Sequence, residues 1–296
     1  VLDQKRLHLR AAFFQAIRIF FQNQGFLEVD TPIRQPLVIP EQNIVHVPSG
    51  THFLQSSPEL YMKRLLASGC DKIFQICRCF RYGERGRLHL EEFVMLEWYR
   101  LDADYGDLMS DCEKLFQFIE EESVGFEFPV SPHGAWEHIT VEQAFQKYCS
   151  VSATQALQED RFDLLLVENI EPYLGQNSPT FLYDYPLQLA SLARPKASHP
   201  EVAERFELYM AGIELANGFS ELTDSVQQRD RFEDEYTQMG VWGKGQGRMP
   251  EFFLRDLDKI DTAAGIAMGL DRLFMLLSGQ DTLNAAVTFS PDELDM

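Results

Sequence analysis

Cysteine is scarce in this chain, and the five present (Cys70, Cys77, Cys79, Cys112 and Cys149) are an odd number. That excludes a disulfide framework and reads as the reduced thiols of a cytoplasmic protein. Cys77 and Cys79 share one face of a strand-like run, but without His or Cys partners nearby they make a poor zinc site and read as core. Clustered positive charge is missing too. No basic run exceeds fragments such as Lys63-Arg64, and 46 acidic residues against 26 basic ones give a net charge of −20. Phosphate contacts carry much of the affinity for nucleic acids, so this balance disfavours them as partners, and it disfavours anionic membrane surfaces equally. No apolar run approaches the ~20 residues that cross a bilayer, and no basic start followed by an apolar stretch marks a signal peptide. Internal repeats, low-complexity tracts and a linker are also absent. The expectation is therefore one domain, 1–296, of mixed α+β organisation.

Hydrophobic periodicity supplies the elements. Leu2, Leu9, Phe13, Ile17, Phe20 and Phe21 fall roughly on one stripe, predicting a helix over 3–24 that Gly25 stops. Pro36, Pro40, Pro48 and Gly50 leave 33–50 as loop and short strand. Ser57-Pro58-Glu59 predicts a helix start, with an N-cap, a proline at the first helical position and an acid at the positive end of the dipole. Strands are expected at 73–80 and 93–99 around a polar loop, 81–92, followed by a helix over 104–122. Beyond it the pattern is less legible, with helix near 141–149 and 161–170 and a strand at 180–185. One strand-like run covers 208–221, and a Gly-rich strand, 264–269, turns into an apolar helix, 270–278.

Four places carry candidate chemistry. In the strand Phe93-Val94-Met95-Leu96-Glu97-Trp98-Tyr99, period-2 geometry puts Phe93, Met95, Glu97 and Tyr99 on one face and Val94, Leu96 and Trp98 on the other. A carboxylate and a phenol beside Phe and Met suit a pocket for a cationic amine; a half-exposed edge strand with a solvated Glu reads equally well. The preceding loop holds Arg81, Arg85, Arg87 and His89 within nine residues, a donor set suited to a polyphosphate or, more blandly, a solvated hairpin tip. Asn217, Phe219 and Glu221 share parity, whereas Glu214 does not. If Glu214 and Glu221 hold one Mg²⁺ the strand must bulge, and Gly218 is the natural place. Finally, Gly265-Ile266-Ala267-Met268-Gly269-Leu270-Asp271-Arg272 is a close-approach strand leading to an Arg at a helix start.

Together these segments resemble the class II aminoacyl-tRNA synthetases, and the lysine branch in particular, over about residues 5–290. Gly25-Phe26-Leu27-Glu28-Val29-Asp30-Thr31-Pro32 is similar to the first class II motif, Phe80-Arg81 through Glu92-Phe93 to Glu97 to the second, and Gly265 to Arg272 to the third. The resemblance implies an antiparallel sheet of six or seven strands flanked by helices, a homodimer, and ATP with Mg²⁺ as cofactors. It puts Arg81 on the α-phosphate, with Arg87 and His89 toward the γ-phosphate. Phe93 would stack on adenine with Arg272 on the other side, and Glu214 and Glu221 would hold Mg²⁺. Glu59 would bind the backbone amine of the substrate, and Glu97 with Tyr99 the side-chain ammonium of a lysine. One position departs from the pattern: Phe80-Arg81-Tyr82-Gly83 has Gly where the family has Glu, with Glu84 next.

Within the lysine branch, the chain opens at the first-motif helix, without the anticodon-binding barrel of the tRNA enzymes, so tRNA is not the expected acceptor. Ser57 and Ala267 replace the Ala and Gly usual in those enzymes. With Glu214-Leu215-Ala216-Asn217-Gly218-Phe219, they resemble the ligases that attach (R)-β-lysine to a lysine of elongation factor P. A methyl at 267 would crowd an α-amino group and favour a β-amino one. Ser220 and Asp184-Tyr185-Pro186 are more similar to the tRNA enzymes, so a lysyl-tRNA synthetase fragment or paralogue with another acceptor is the second reading. An inactive, regulatory synthetase-like subunit is the third; such subunits usually lose the phosphate-binding arginines that this chain keeps in Arg81 and Arg272.

Overall fold

Asp3 starts the first helix, α1 (Gln4–Asn23), by accepting the Arg6 N–H at 2.8 Å. Gly25, at φ +78°, lies just past its end, where the chain turns into the short strand β1 (Leu27–Glu28). The computed structural model describes all residues except 42, 123–124, 191, 242–247 and 295–296. A small sheet follows, of β2 (Arg34–Gln35), β3 (Pro48–Ser49) and β4 (His52–Leu54), its extent limited by prolines that cannot donate to a ladder. Helix α2 (Glu59–Leu66) begins a residue later than the sequence suggests. Pro58 takes the cap position, while Ser57 Oγ accepts the Glu59 N–H from outside the helix.

Strands β5 (Lys72–Phe80) and β6 (Glu92–Leu101) pair antiparallel from Lys72↔Arg100 to Phe80↔Glu92, with the polar loop between them. Helix α3 (Tyr105–Glu122) buries Leu108, Cys112, Leu115 and Ile119. Strand β7 (Glu137–Thr140) enters α4 (Val141–Cys149) through a capping box of Thr140 and Gln143. Helices α5 (Ala153–Gln158) and α6 (Phe162–Leu165) lead to β8 (Thr180–Pro186), β9 (Pro195–Lys196), β10 (His199–Met210) and β11 (Ile213–Ser220). The single run expected over 208–221 is thus two strands. Ala211 and Gly212, at φ 52° and 74°, turn β10 back on β11 as a hairpin, and an alanine in the left-handed region is not a turn that composition reveals. Helices α7 (Ser225–Val241) and α8 (Glu251–Leu257), strand β12 (Ala263–Gly269), helix α9 (Leu270–Leu277) and the short α10 (Pro291–Leu294) follow.

Among the described residues the main sheet has nine strands in the order β1-β5-β6-β12-β11-β10-β8-β7, with β9 beside β10. Its middle six are antiparallel, but β1 on β5 and β7 on β8 are parallel, which enlarges and qualifies the six- or seven-stranded antiparallel sheet expected. The parallel pairs arise because helices α2 and α4–α6 cross over between their strands.

The two sheet faces differ. Trp98, Leu96, Phe74 and Ile266 lie on one, packed with Phe13, Phe21, Phe116 and Phe274 of α1, α3 and α9 into the main core. Each such fully buried side chain contributes about 1.5–3 kcal/mol, so this layer anchors the opposite face. Cys77 and Cys79 pack with Met95, their sulfurs 3.9 Å apart.

Candidate active site

Antiparallel register sets the open face row by row. Glu97, Ala267, Asn217 and Glu207 stand opposite one another across β6, β12, β11 and β10, and Tyr99, Gly265, Phe219 and Arg205 form the next row. These rows floor a cavity of about 560 Å³ that also takes in Ser57, Glu59, Arg81, Phe93 and Arg272. Gly265 has to be glycine: a Cβ there would stand 2.2 Å from the Tyr99 ring and 2.6 Å from Glu221 Oε1.

One end of the cavity is a closed acidic cluster. Glu97 Oε1 accepts the Ser57 hydroxyl at 2.7 Å and Oε2 accepts the Tyr99 hydroxyl at 2.8 Å. Burial, then the nearby Glu59 charge, pushes the Glu97 carboxyl up to about 8, against the lowering effect of those two donors. Behind it, Lys63 Nζ lies 2.5 Å from both Glu59 Oε1 and Glu221 Oε2. Burial works to lower the Lys63 pKa, but the Glu221 and Glu59 carboxylates prevail and hold it above its ordinary value, so the side chain is an ammonium. Glu221 is likewise pushed up by burial to about 8, opposed by Lys63.

The other end is basic and more open. Arg81 lies over the Phe93 ring at 5.2 Å and is loosely paired with Glu84 at 3.9 Å. Gly83, at φ +77°, sets the turn that brings Glu84 to the cavity, so the carboxylate one position along faces the site where Gly83 has none. Arg272 donates to the Leu88 and Glu214 carbonyls and to His89 Nε2 at 2.8 Å. Partial burial and the Arg272 charge lower the His89 pKa, which keeps the ring a neutral acceptor.

Two sets of expected site residues make other contacts in this structure. Arg87 does not line the cavity; its guanidinium turns to the Asp281 carbonyl at 3.1 Å. Glu214 and Glu221, expected to share one Mg²⁺, are each engaged by another group in this structure. Glu214 lies in β11 and Glu221 just past its end, and each has its own cation: Arg272 at 3.3 Å for Glu214 and Lys63 for Glu221. The bulge does occur, but opposite Leu208/Tyr209, where Leu215 is the extra residue, and not at Gly218. Gly218 instead faces Phe206, whose ring would lie 2.8 Å from a Cβ there. Among the described residues no group of three or more His, Cys, Asp or Glu side chains is arranged to hold a metal ion.

Sequence reasoning missed several members. Lys63 was visible in principle as the i+4 partner of Glu59 on α2. Asp271 is buried, accepting Arg10 at 2.5 Å and the Val94 N–H at 2.7 Å, and so ties α9 and α1 to the strand that carries Phe93. Arg205 reaches Asn217 Oδ1 at 3.2 Å, Glu207 at 2.7 Å and the Leu189 carbonyl at 2.7 Å while stacked 4.3 Å over Tyr185. Phe162, Asp163 and Leu166 close that side, so the poorly legible stretch 125–205 contributes part of the wall.

A sheet whose open face joins a buried acidic pocket to an arginine-lined one is the architecture of a synthetase, and the comparison with known families agrees. The chain belongs to the class II tRNA synthetases (D, K and N), matching that family over residues 3–293. It is also 37% identical to the elongation factor P–(R)-β-lysine ligase of Edwardsiella ictaluri (strain 93-146), over 96% of this chain and 94% of that protein. No helix among the described residues is long and apolar enough to cross a membrane.

Proposed function

We propose that the chain activates a lysine-like amino acid with ATP and transfers the aminoacyl group to a lysine side chain of elongation factor P. The observation that carries this is the single cavity with Glu59 and Glu97 at one end and Arg81, Phe93 and Arg272 at the other. That spacing of charges suits an amino acid bearing ammonium groups, its carboxylate aimed at a nucleotide. Similarity to the β-lysine ligase supports the choice of acceptor, and Ser57 beside Glu97 with Ala267 in the same row supports a β-amino substrate.

In the first step the substrate carboxylate oxygen attacks the α-phosphorus, the bond to the β-phosphate oxygen breaks, and pyrophosphate leaves. No general base is needed, since a carboxylate is ionised near neutral pH. Arg81 neutralises charge building at the α-phosphate; Phe93 stacks on adenine, with Arg272 on its other face and His89 toward the γ-phosphate. In the second step the acceptor ε-amine attacks the acyl carbon, an amide forms, AMP leaves and the amine loses a proton. Magnesium carried in with ATP would supply further charge neutralisation. Of the two carboxylates expected to hold it only Glu214, 37% exposed, is open to it, so no step is assigned to the ion. A homodimer across α1 and β1 belongs to the same proposal, supported by exposed Ile19, Leu27 and Ile33; a monomeric mass by light scattering would remove it.

ATP–pyrophosphate exchange tests the reading. Exchange is expected with (R)-β-lysine above lysine, and little with unrelated amino acids. Preference for lysine would favour a synthetase paralogue with another acceptor, and no exchange with any lysine-like compound would overturn the proposal.

A further inference from the structure

Among the described residues Lys63 is one of the most deeply buried charged groups, with its side chain 1% exposed, and it sits directly behind the amine-facing end of the cavity. Helix α2 brings it up beside Glu59, four residues earlier, and β11 runs on to Glu221 on its other side. The rings of Phe219 and Phe253 flank its ammonium at 5.3 and 5.9 Å. The space that lets Glu221 and the Tyr99 ring stand there comes from Gly265. Three carboxylates (Glu59, Glu97 and Glu221) therefore share this corner with one built-in cation. Glu59 and Glu97 line the cavity and Glu221 does not. With all three ionised and Lys63 charged, the corner carries two uncompensated negative charges, which matches the two ammonium groups of a lysine-like amino acid.

We infer that Lys63 is a positioning and specificity residue: by holding one oxygen of Glu59 and neutralising Glu221, it fixes Glu59 to receive the backbone ammonium and makes the pocket demand a diammonium substrate. Lys63 touches no reactant; it acts through Glu59. The inference rests on the functional reading above and refines it.

The test is pyrophosphate exchange by Lys63→Met and by the double variant Lys63→Met/Glu221→Gln, which removes both members of the buried pair. The substrates are (R)-β-lysine, lysine and 6-aminohexanoate, which keeps the carboxylate and the distal ammonium but lacks the backbone amine. For Lys63→Met the KM for the lysine-like amino acid is expected to rise about 50-fold, with kcat within about 3-fold and KM for ATP unchanged, as loss of one charge-assisted contact made at binding predicts. The advantage of (R)-β-lysine or lysine over 6-aminohexanoate should shrink to within about 3-fold, because the lost contact is the one 6-aminohexanoate never makes. The double variant should recover about 10-fold of the KM, since no uncompensated carboxylate is left behind Glu59. Equal loss for 6-aminohexanoate and the lysine-like substrates, or a fall in kcat with KM unchanged, would make Lys63 merely structural and overturn the inference. Should Lys63→Met fail to fold, the double variant alone decides: full wild-type discrimination in it overturns the inference, and reduced discrimination supports it. Wild-type protein that exchanges with no lysine-like compound would instead bring down the functional reading.

Discussion

The two ends of the cavity are built on different terms. At the acidic end every carboxylate is held by a fixed donor before any substrate arrives: Ser57 and Tyr99 on Glu97, and Lys63 between Glu59 and Glu221. At the basic end Arg81 lies over the Phe93 ring with a loose 3.9 Å ion pair to Glu84, and its neighbours Arg85 and Arg87 sit on a loop beside it. A small amino acid is discriminated by contacts whose geometry is fixed in advance, because buried polar groups left unpaired by the wrong ligand are costly. A nucleotide polyphosphate is bound by many charges and tolerates donors that adjust.

The sharpest way to break this comparison is Arg81→Ala. Adenylate formation should fall at least about 1,000-fold with the thermal midpoint nearly unchanged, since the residue acts on transition-state charge and not on the core. Retained exchange would take Arg81 out of the phosphate site. At the other end, Glu97→Gln should cost about 100-fold in kcat/KM for the lysine-like substrate, mostly in KM, and leave KM for ATP alone. A parallel change in both KM values would erase the distinction between the ends.

pH provides a gentler probe. Glu97 and Glu221 are each pushed up to about 8 in the ligand-free protein, and an ammonium ligand beside Glu97 needs that carboxyl ionised. KM for the amino acid should therefore fall as pH rises toward about 8 and level off above it, with a shallower slope in Glu97→Gln. The stability of the ligand-free protein moves the opposite way. Between the ordinary carboxyl value of 4.5 and about 8 the unfolded chain releases protons that the folded chain keeps, so the thermal midpoint should decline across that window. A midpoint that climbs from pH 5 to 8 would contradict the burial of these groups. The smallest expected effect is from Ala267→Gly, which should shift the ratio of β-lysine to lysine use toward lysine by about 5-fold, one methyl being worth little more. An unmoved ratio would remove Ala267 as the discriminator.

Much of this site was legible in the chain because its parts are local. The alternation of Phe93 to Tyr99 placed Glu97 and Tyr99 on the open face and Trp98 in the core, as the register shows. The Ser57-Pro58-Glu59 start put Glu59 at the head of α2. Illegible were contacts that depend on neighbours distant in sequence. Carboxylate chemistry, with a bulge to overcome their opposite parity, suggested that Glu214 and Glu221 share an ion; the cations beside them in this structure come from α9 and α2. The hairpin at Ala211-Gly212 hid inside an apolar run because both of its strands are buried enough to read as one.

The sequence by itself determined the strand and helix alphabet, the three ordered motifs and which residue types are available for amine and phosphate recognition. These follow from periodicity and from the fixed chemistry of Glu, Arg and Gly. Only the tertiary structure decided how the charges are shared. It inserted Lys63 between two carboxylates, turned Arg87 away from the cavity, brought Glu84 in past Gly83, and used residues 162–166 and 205–207 as a wall. Charge sharing at these distances depends on the strand order and on the helix packed against it, and neither is encoded in any local stretch of chain.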